Sequence, residues 1–194
     1  MTTTTRSRIH RPAAAGRPWA AFSLVEVIIG SSLASFLLAG ILSTFLFMGR
    51  AGANLWNYSD METQARRALE VFAEDVRQAS AITWNTSTSV TLVVNSTSVV
   101  YAYDSTTGVF YRQIGSDVRR LITGIAPGSF LFKSYNLAGS EMPLATTANL
   151  TAASSSTKQL QVSLEASRTT RTVTTATNLV LSARYILRNK IVTA

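Results

Sequence analysis

Residues 27–48 of this 194-residue chain, VIIGSSLASFLLAGILSTFLFM, run for 22 consecutive positions without a charged side chain. Wound as a helix, that run is about 33 Å long at ~1.5 Å per residue, enough to cross the hydrocarbon of a bilayer. The rest of the chain has to be read around it. In front lie residues 1–21, polar and free of acids, with Arg6, Arg8, Arg11 and Arg17, and with Pro12 and Pro18 opposing a helix. Behind lies a long polar stretch. Basic flanks stay on the cytoplasmic side of a span, so the N-terminus is expected in the cytoplasm and the C-terminal bulk outside it.

The same arginines explain much of the charge. The formal net charge is +8, but from Phe22 onward 14 Lys and Arg face 10 Asp and Glu, an excess of only +4. A basic N-terminal tail therefore accounts for half the imbalance, and nucleic acid is not the expected partner. With no cysteine, disulfides, thiolate metal sites and cysteine nucleophiles are excluded. His10, the single histidine, supports neither a multi-histidine metal centre nor a catalytic triad outside the leader. The ten glycines are scattered and form no phosphate loop. Asp104 and Asp117 fall in expected turns. Arg119 with Arg120, and Arg168 with Arg171, read as surface charge, with DNA or acidic headgroups as the alternative contacts. The expectation is a chain without enzymatic activity, cofactor or metal.

Glu26, at the head of the apolar run, needs an explanation. A carboxylate in a lipid-spanning helix costs about 2.5–3.5 kcal/mol at the helix centre and less near the interface. It either stays wet at the headgroups or is paired. A secretory signal is another reading of the segment, since Ala51-Gly52-Ala53 forms a small-x-small cleavage site and would release a chain starting at Asn54. The apolar run far exceeds the ~7–15 residues of a signal core, and Arg50 sits beside the site.

The segment Ala21-Phe22-Ser23-Leu24-Val25-Glu26, behind a basic leader and ahead of an uninterrupted apolar helix, resembles the cleavage motif of type IV pilin-like proteins. The resemblance implies that prepilin peptidase, a membrane aspartyl protease, cuts between Ala21 and Phe22 and methylates the new amine of Phe22. It implies that Glu26 neutralises the amine of a neighbouring subunit in a filament. Two departures stand out: the family usually has glycine at the position of Ala21, and the leader is long for the class. Elementary electrostatics agrees with the role given to Glu26. A buried ammonium and a buried carboxylate are each costly alone and tolerable as a pair, so subunits would stack in the register where they meet.

Beyond the span, a period of 3.6 continues through Leu55, Tyr58, Met61, Ala65, Ala68, Leu69, Phe72, Val76 and Ala79. Asp60, Glu62, Arg66, Arg67, Glu70, Glu74, Asp75 and Arg77 occupy the other faces, with Glu62–Arg66 and Glu74–Arg77 as helix-stabilising pairs. One helix is expected over about 22–80. After it, Thr, Ser, Val, Tyr and Phe predict strands at 81–84, 89–94, 98–103, 109–113, 130–135, 159–167 and 177–188, with the middle three as a meander. Residues 143–156 read as a loop, and residues 169–175 as an exposed hairpin tip or loop. The expected organisation is a leader (1–21), a hydrophobic helix (22–53) and a globular domain (54–194). The expected fold is α+β, a long N-terminal transmembrane helix packed on a C-terminal antiparallel β-sheet.

Within the pilin-like group, Gln64-Ala65-Arg66-Arg67-Ala68-Leu69-Glu70, Asp75-Val76-Arg77-Gln78-Ala79-Ser80 and Val109-Phe110-Tyr111-Arg112 are most similar to J-type minor pseudopilins and W-type minor pilins. That resemblance implies a subunit that primes the tip of a type II secretion pseudopilus or a type IV pilus. Its partners would be prepilin peptidase, other pilins or pseudopilins, and inner-membrane lipid. It would sit as a single-pass inner-membrane protein with a periplasmic domain before entering the filament. Shaft subunits of the G-type often carry a calcium loop of carboxylates in the last third, where this chain has only Glu141 and Glu165. The alternatives are a single-span membrane anchor for an extracytoplasmic β domain with no filament role, and a DNA-uptake pilin.

Overall fold

The computed structural model describes residues 22–168 and 177–192. The chain divides into two compact units, Met1–Leu46 and Phe47–Ala194. A 55-residue helix, α1 (Leu24–Gln78), begins in the first and ends in the second, close to the expected 22–80. In the first unit every described residue from Phe22 onward is exposed. Nothing among the described residues buries the apolar side chains of that segment.

In the second unit α1 buries Met61, Ala65, Ala68, Phe72 and Val76, at steps of three and four residues. The apolar face begins later than the sequence pattern suggests. Leu55 and Tyr58 are exposed, and Asn57, four residues before Met61, takes the buried position. Glu62 pairs with Arg66 at 3.0 Å as expected. Glu74 instead accepts a hydrogen bond from Gln78 Nε2 at 3.3 Å.

Five strands follow as a meander: β1 (Ala81–Thr86), β2 (Ser89–Val94), β3 (Thr97–Asp104), β4 (Val109–Ile114) and β5 (Asp117–Ile122), ordered β1-β2-β3-β4-β5 and all antiparallel. Between β2 and β3, Asn95 and Ser96 both adopt positive φ (49° and 66°), the two-residue turn that matches the twist of a hairpin. Gly108 ends the β3–β4 turn at φ 65°, and a Cβ there would lie 2.9 Å from the Ile125 carbonyl oxygen. A second antiparallel sheet contains β6 (Leu131–Tyr135), β7 (Glu141–Met142), β8 (Gln159–Arg168) and β9 (Thr177–Ile186) in the order β7-β6-β8-β9.

The fold is α+β, a long helix against antiparallel sheet, as the sequence predicts. It differs in having two sheets rather than one. The strands change sheet after β5, where Gly124, Pro127 and Gly128 interrupt the pairing. Strand β5 was not expected, and Asp117 opens it rather than lying in a turn. The 143–156 segment also departs from expectation, because it contains a helix, α2 (Thr147–Ser156). Thr146 caps it, its hydroxyl accepting from Asn149 N at 3.3 Å. Ala153 is the one residue α2 buries, so no apolar period announces it. The 169–175 segment expected as a hairpin tip lies outside the described residues.

One core joins these layers. Phe72 of α1 has no exposed surface and meets Tyr101 at 4.8 Å and Phe110 at 6.2 Å in the first sheet. The same ring meets Phe132 at 6.0 Å and Tyr185 at 5.6 Å in the second. Trp84 is core, as its position near the helix-to-sheet junction suggests, and its indole N–H donates to Thr157 Oγ1 at 2.9 Å. Beyond β9, Lys190 Nζ donates to the carbonyls of Ser154, Ser155 and Thr157 at 2.6, 2.9 and 3.1 Å, closing the C-terminal end of α2. Burial, with Lys158 close by, pulls that ammonium down to about 8.

Candidate functional site at the head of the long helix

Ser23 precedes the first helical residue, and Glu26 lies three positions on, the spacing of a capping box. Glu26 N donates to Ser23 Oγ at 3.2 Å. In return Glu26 Oε2 accepts from Ser23 N at 3.4 Å and Ser23 Oγ at 3.5 Å. The box satisfies N–H groups that a helix start leaves unpaired, and a negative charge there also suits the helix dipole. The Ser23-x-x-Glu26 spacing is itself the sequence signature of the serine's part.

Both Oε2 contacts are long, and Oε1 has no partner among the described residues. The carboxylate is exposed. Phe22, the residue expected to become the new N-terminus, is 78% exposed in the same turn. Ala21, on the other side of the expected cut, lies outside the described residues. From Glu26 the helix continues through residues 27–48, with Phe36, Phe45 and Phe47 among its most exposed side chains. A helix of this length and apolarity can cross a membrane. An apolar surface so large needs lipid or other helices around it.

Two polar clusters in the second unit change the reading of residues named from sequence. Asp75, expected on a solvated face, is buried. Its Oδ2 accepts from Tyr101 Oη at 2.6 Å and from Arg112 Nε at 2.7 Å, across 26 and 37 residues of chain. Burial, and the carboxylate it faces, push the Tyr101 hydroxyl well above the usual tyrosine range. The hydrogen bond to Asp75 raises Arg112. Sequence gave no sign of this cluster beyond a charge one position from an apolar stripe. Asp75→Ala is expected to lower stability by about 3 kcal/mol, the low end for a broken buried pair, because Arg112 keeps 21% of its surface and can rehydrate. The measurement is the thermal midpoint, and adding Arg112→Met should restore part of the loss. An unchanged midpoint in Asp75→Ala would contradict the assignment.

The second cluster is built on Arg168, named as a possible DNA contact. Its guanidinium pairs with Asp60 of α1 and donates to Thr123 Oγ1 at 2.9 Å. Gln64 joins the same network, its Nε2 donating to Asp60 Oδ2 at 3.2 Å and its Oε1 accepting from Thr123 Oγ1 at 3.2 Å. Arg168 therefore ties β8 to α1, and its charge is largely used. Arg171 lies outside the described residues. Among the described residues, no group of three or more His, Cys, Asp and Glu side chains is placed to hold a metal ion. No family model and no curated protein matches the chain.

Proposed function

We propose that this chain is a minor subunit of a type IV pilin-like filament, held in the inner membrane by residues 27–48 until it is extracted for assembly. In this reading prepilin peptidase cuts between Ala21 and Phe22 and methylates Phe22. The Phe22 amine of one subunit then meets the Glu26 carboxylate of the next. The apolar helix exchanges lipid for the helices of its neighbours, and the second unit stays outside that bundle. The role is assembly, in the manner of a tip-priming subunit of a type II secretion pseudopilus or a type IV pilus.

The observation that carries the proposal is the half-used carboxylate of Glu26 at the head of a helix whose residues 24–48 are all exposed. A charge kept at the mouth of such a helix, with an oxygen to spare, is what an intersubunit ion pair requires. The motif across residues 21–26 and the basic leader support the same reading. One observation favours a plainer one. The capping box gives Glu26 a local purpose, and a single-span anchor for the second unit would need nothing more. Shearing filaments from the producing cells and probing both fractions separates the two. The proposal expects the processed chain in the sheared fraction, whereas a plain anchor stays entirely with the membranes.

A further inference from the structure

We infer that the free edge of β5 is a docking site for an extended acidic segment of a protein partner, which adds to the first sheet and sets its carboxylates against Arg67, Arg119 and Arg120. The inference rests on the second unit alone and does not depend on the filament reading.

Strand β5 ends its sheet, pairing with β4 on one side, and nothing among the described residues pairs with its other side. An unpaired edge presents a row of backbone donors and acceptors to any chain that can lie along it. Its first four residues, Asp117, Val118, Arg119 and Arg120, are all exposed. The register shows which way its side chains face. Arg119 lies opposite Arg112, whose guanidinium reaches Asp75 on the helix side of the sheet. Arg120 and Val118 lie opposite Tyr111 and Gln113, on the side away from the helix.

A cleft flanks β5 on each of these faces. On the helix side, Gln64, Arg67, Arg119 and Thr123 contribute to a cleft of about 260 Å³, which Arg120 also lines. On the other, Tyr111, Gln113, Val118 and Arg120 contribute to one of about 340 Å³. Side chains of an added strand alternate between the two faces, so successive residues would enter the two clefts in turn.

Charge selects the occupant. Arg66, Arg112 and Arg168 have ion-pair partners in Glu62, Asp75 and Asp60. Arg67, Arg119 and Arg120 have none among the described residues. Asp104 lines the outer cleft, but its oxygens already accept from Thr106 N at 2.9 Å and Thr107 Oγ1 at 2.7 Å. Three guanidinium groups without ion pairs beside a bare strand edge repel a second copy of the same edge, a known guard against self-pairing. They attract carboxylates, with which arginine forms strong, directional hydrogen bonds.

The test titrates the full-length, 15N-labelled chain in detergent micelles with a blocked peptide that repeats valine-glutamate-glutamate, which offers carboxylates to both faces. Amide shifts are expected along β5 and its turn to β4. Arg119→Gln with Arg120→Gln should weaken binding about tenfold or more while leaving the thermal midpoint unchanged, since both side chains are exposed. Arg67→Gln, a change on the helix alone, should weaken it in the same direction and serves if the double variant folds poorly. N-methylation of alternate peptide amides should abolish binding, because it removes the strand's donors. Equal binding by the variants, or by a peptide with lysine for glutamate, would overturn the inference. So would an oligonucleotide that competes at the same salt with higher affinity, or self-association of the chain through β5.

Discussion

Glu26→Gln is expected to leave the chain cleaved, inserted and folded, but absent from filaments. Glutamine is accepted at the third position of a capping box, so the helix start with Ser23 survives the exchange. What is lost is the charge. A neighbour's Phe22 ammonium would enter the helix bundle without a counterion, and an uncompensated buried charge costs about 3–5 kcal/mol. That corresponds to a fall in incorporation of roughly two orders of magnitude or more. Glu26→Ala removes both roles, and the capping part alone adds only about 0.5–2 kcal/mol of local helix stability. The contrast between the two variants therefore separates capping from pairing. If Glu26→Gln enters sheared filaments at the level of the unaltered chain, the carboxylate is a cap and nothing else.

Phe72→Ala should be the most damaging single truncation in the second unit. The ring is fully buried and touches aromatic residues of both sheets, so no single layer can move in to fill the space. Truncations of a buried phenylalanine cost about 3–5 kcal/mol, the upper end applying where neighbours are held apart by their own sheets. For a unit of this size the thermal midpoint should fall by roughly 10 °C. Phe72→Leu keeps most of the volume and should recover more than half of the loss. A midpoint within a few degrees of the unaltered protein would mean that α1 is not the element joining the two sheets.

Most of the architecture could be read from the chain because its two periodicities are clean. Leu160, Val162, Leu164 and Ala166 alternate in sequence and are all buried in β8. Met61, Ala65, Ala68, Phe72 and Val76 step by three and four and form the buried face of α1. The misses share a cause. Strand β5, with two arginines and an aspartate, has no alternation because it is an edge strand whose first four residues are exposed on both faces. Helix α2 buries only Ala153, so it shows no stripe. Asp75 looks like one more helix charge until Arg112 and Tyr101 are brought to it from the meander. That partnership depends on tertiary placement, which local pattern does not encode. The candidate site is legible in its residues, Phe22 and Glu26, but the engagement of one carboxylate oxygen by Ser23 depends on the side-chain rotamers at the helix start.

Processing at the head of the long helix would be seen in the intact mass and the N-terminal sequence of the protein recovered from its own cells. The expected product is a chain that begins at Phe22 and is heavier by one methyl group, despite alanine rather than glycine at position 21. A chain that begins at Asn54, or one that keeps residues 1–21, would contradict it.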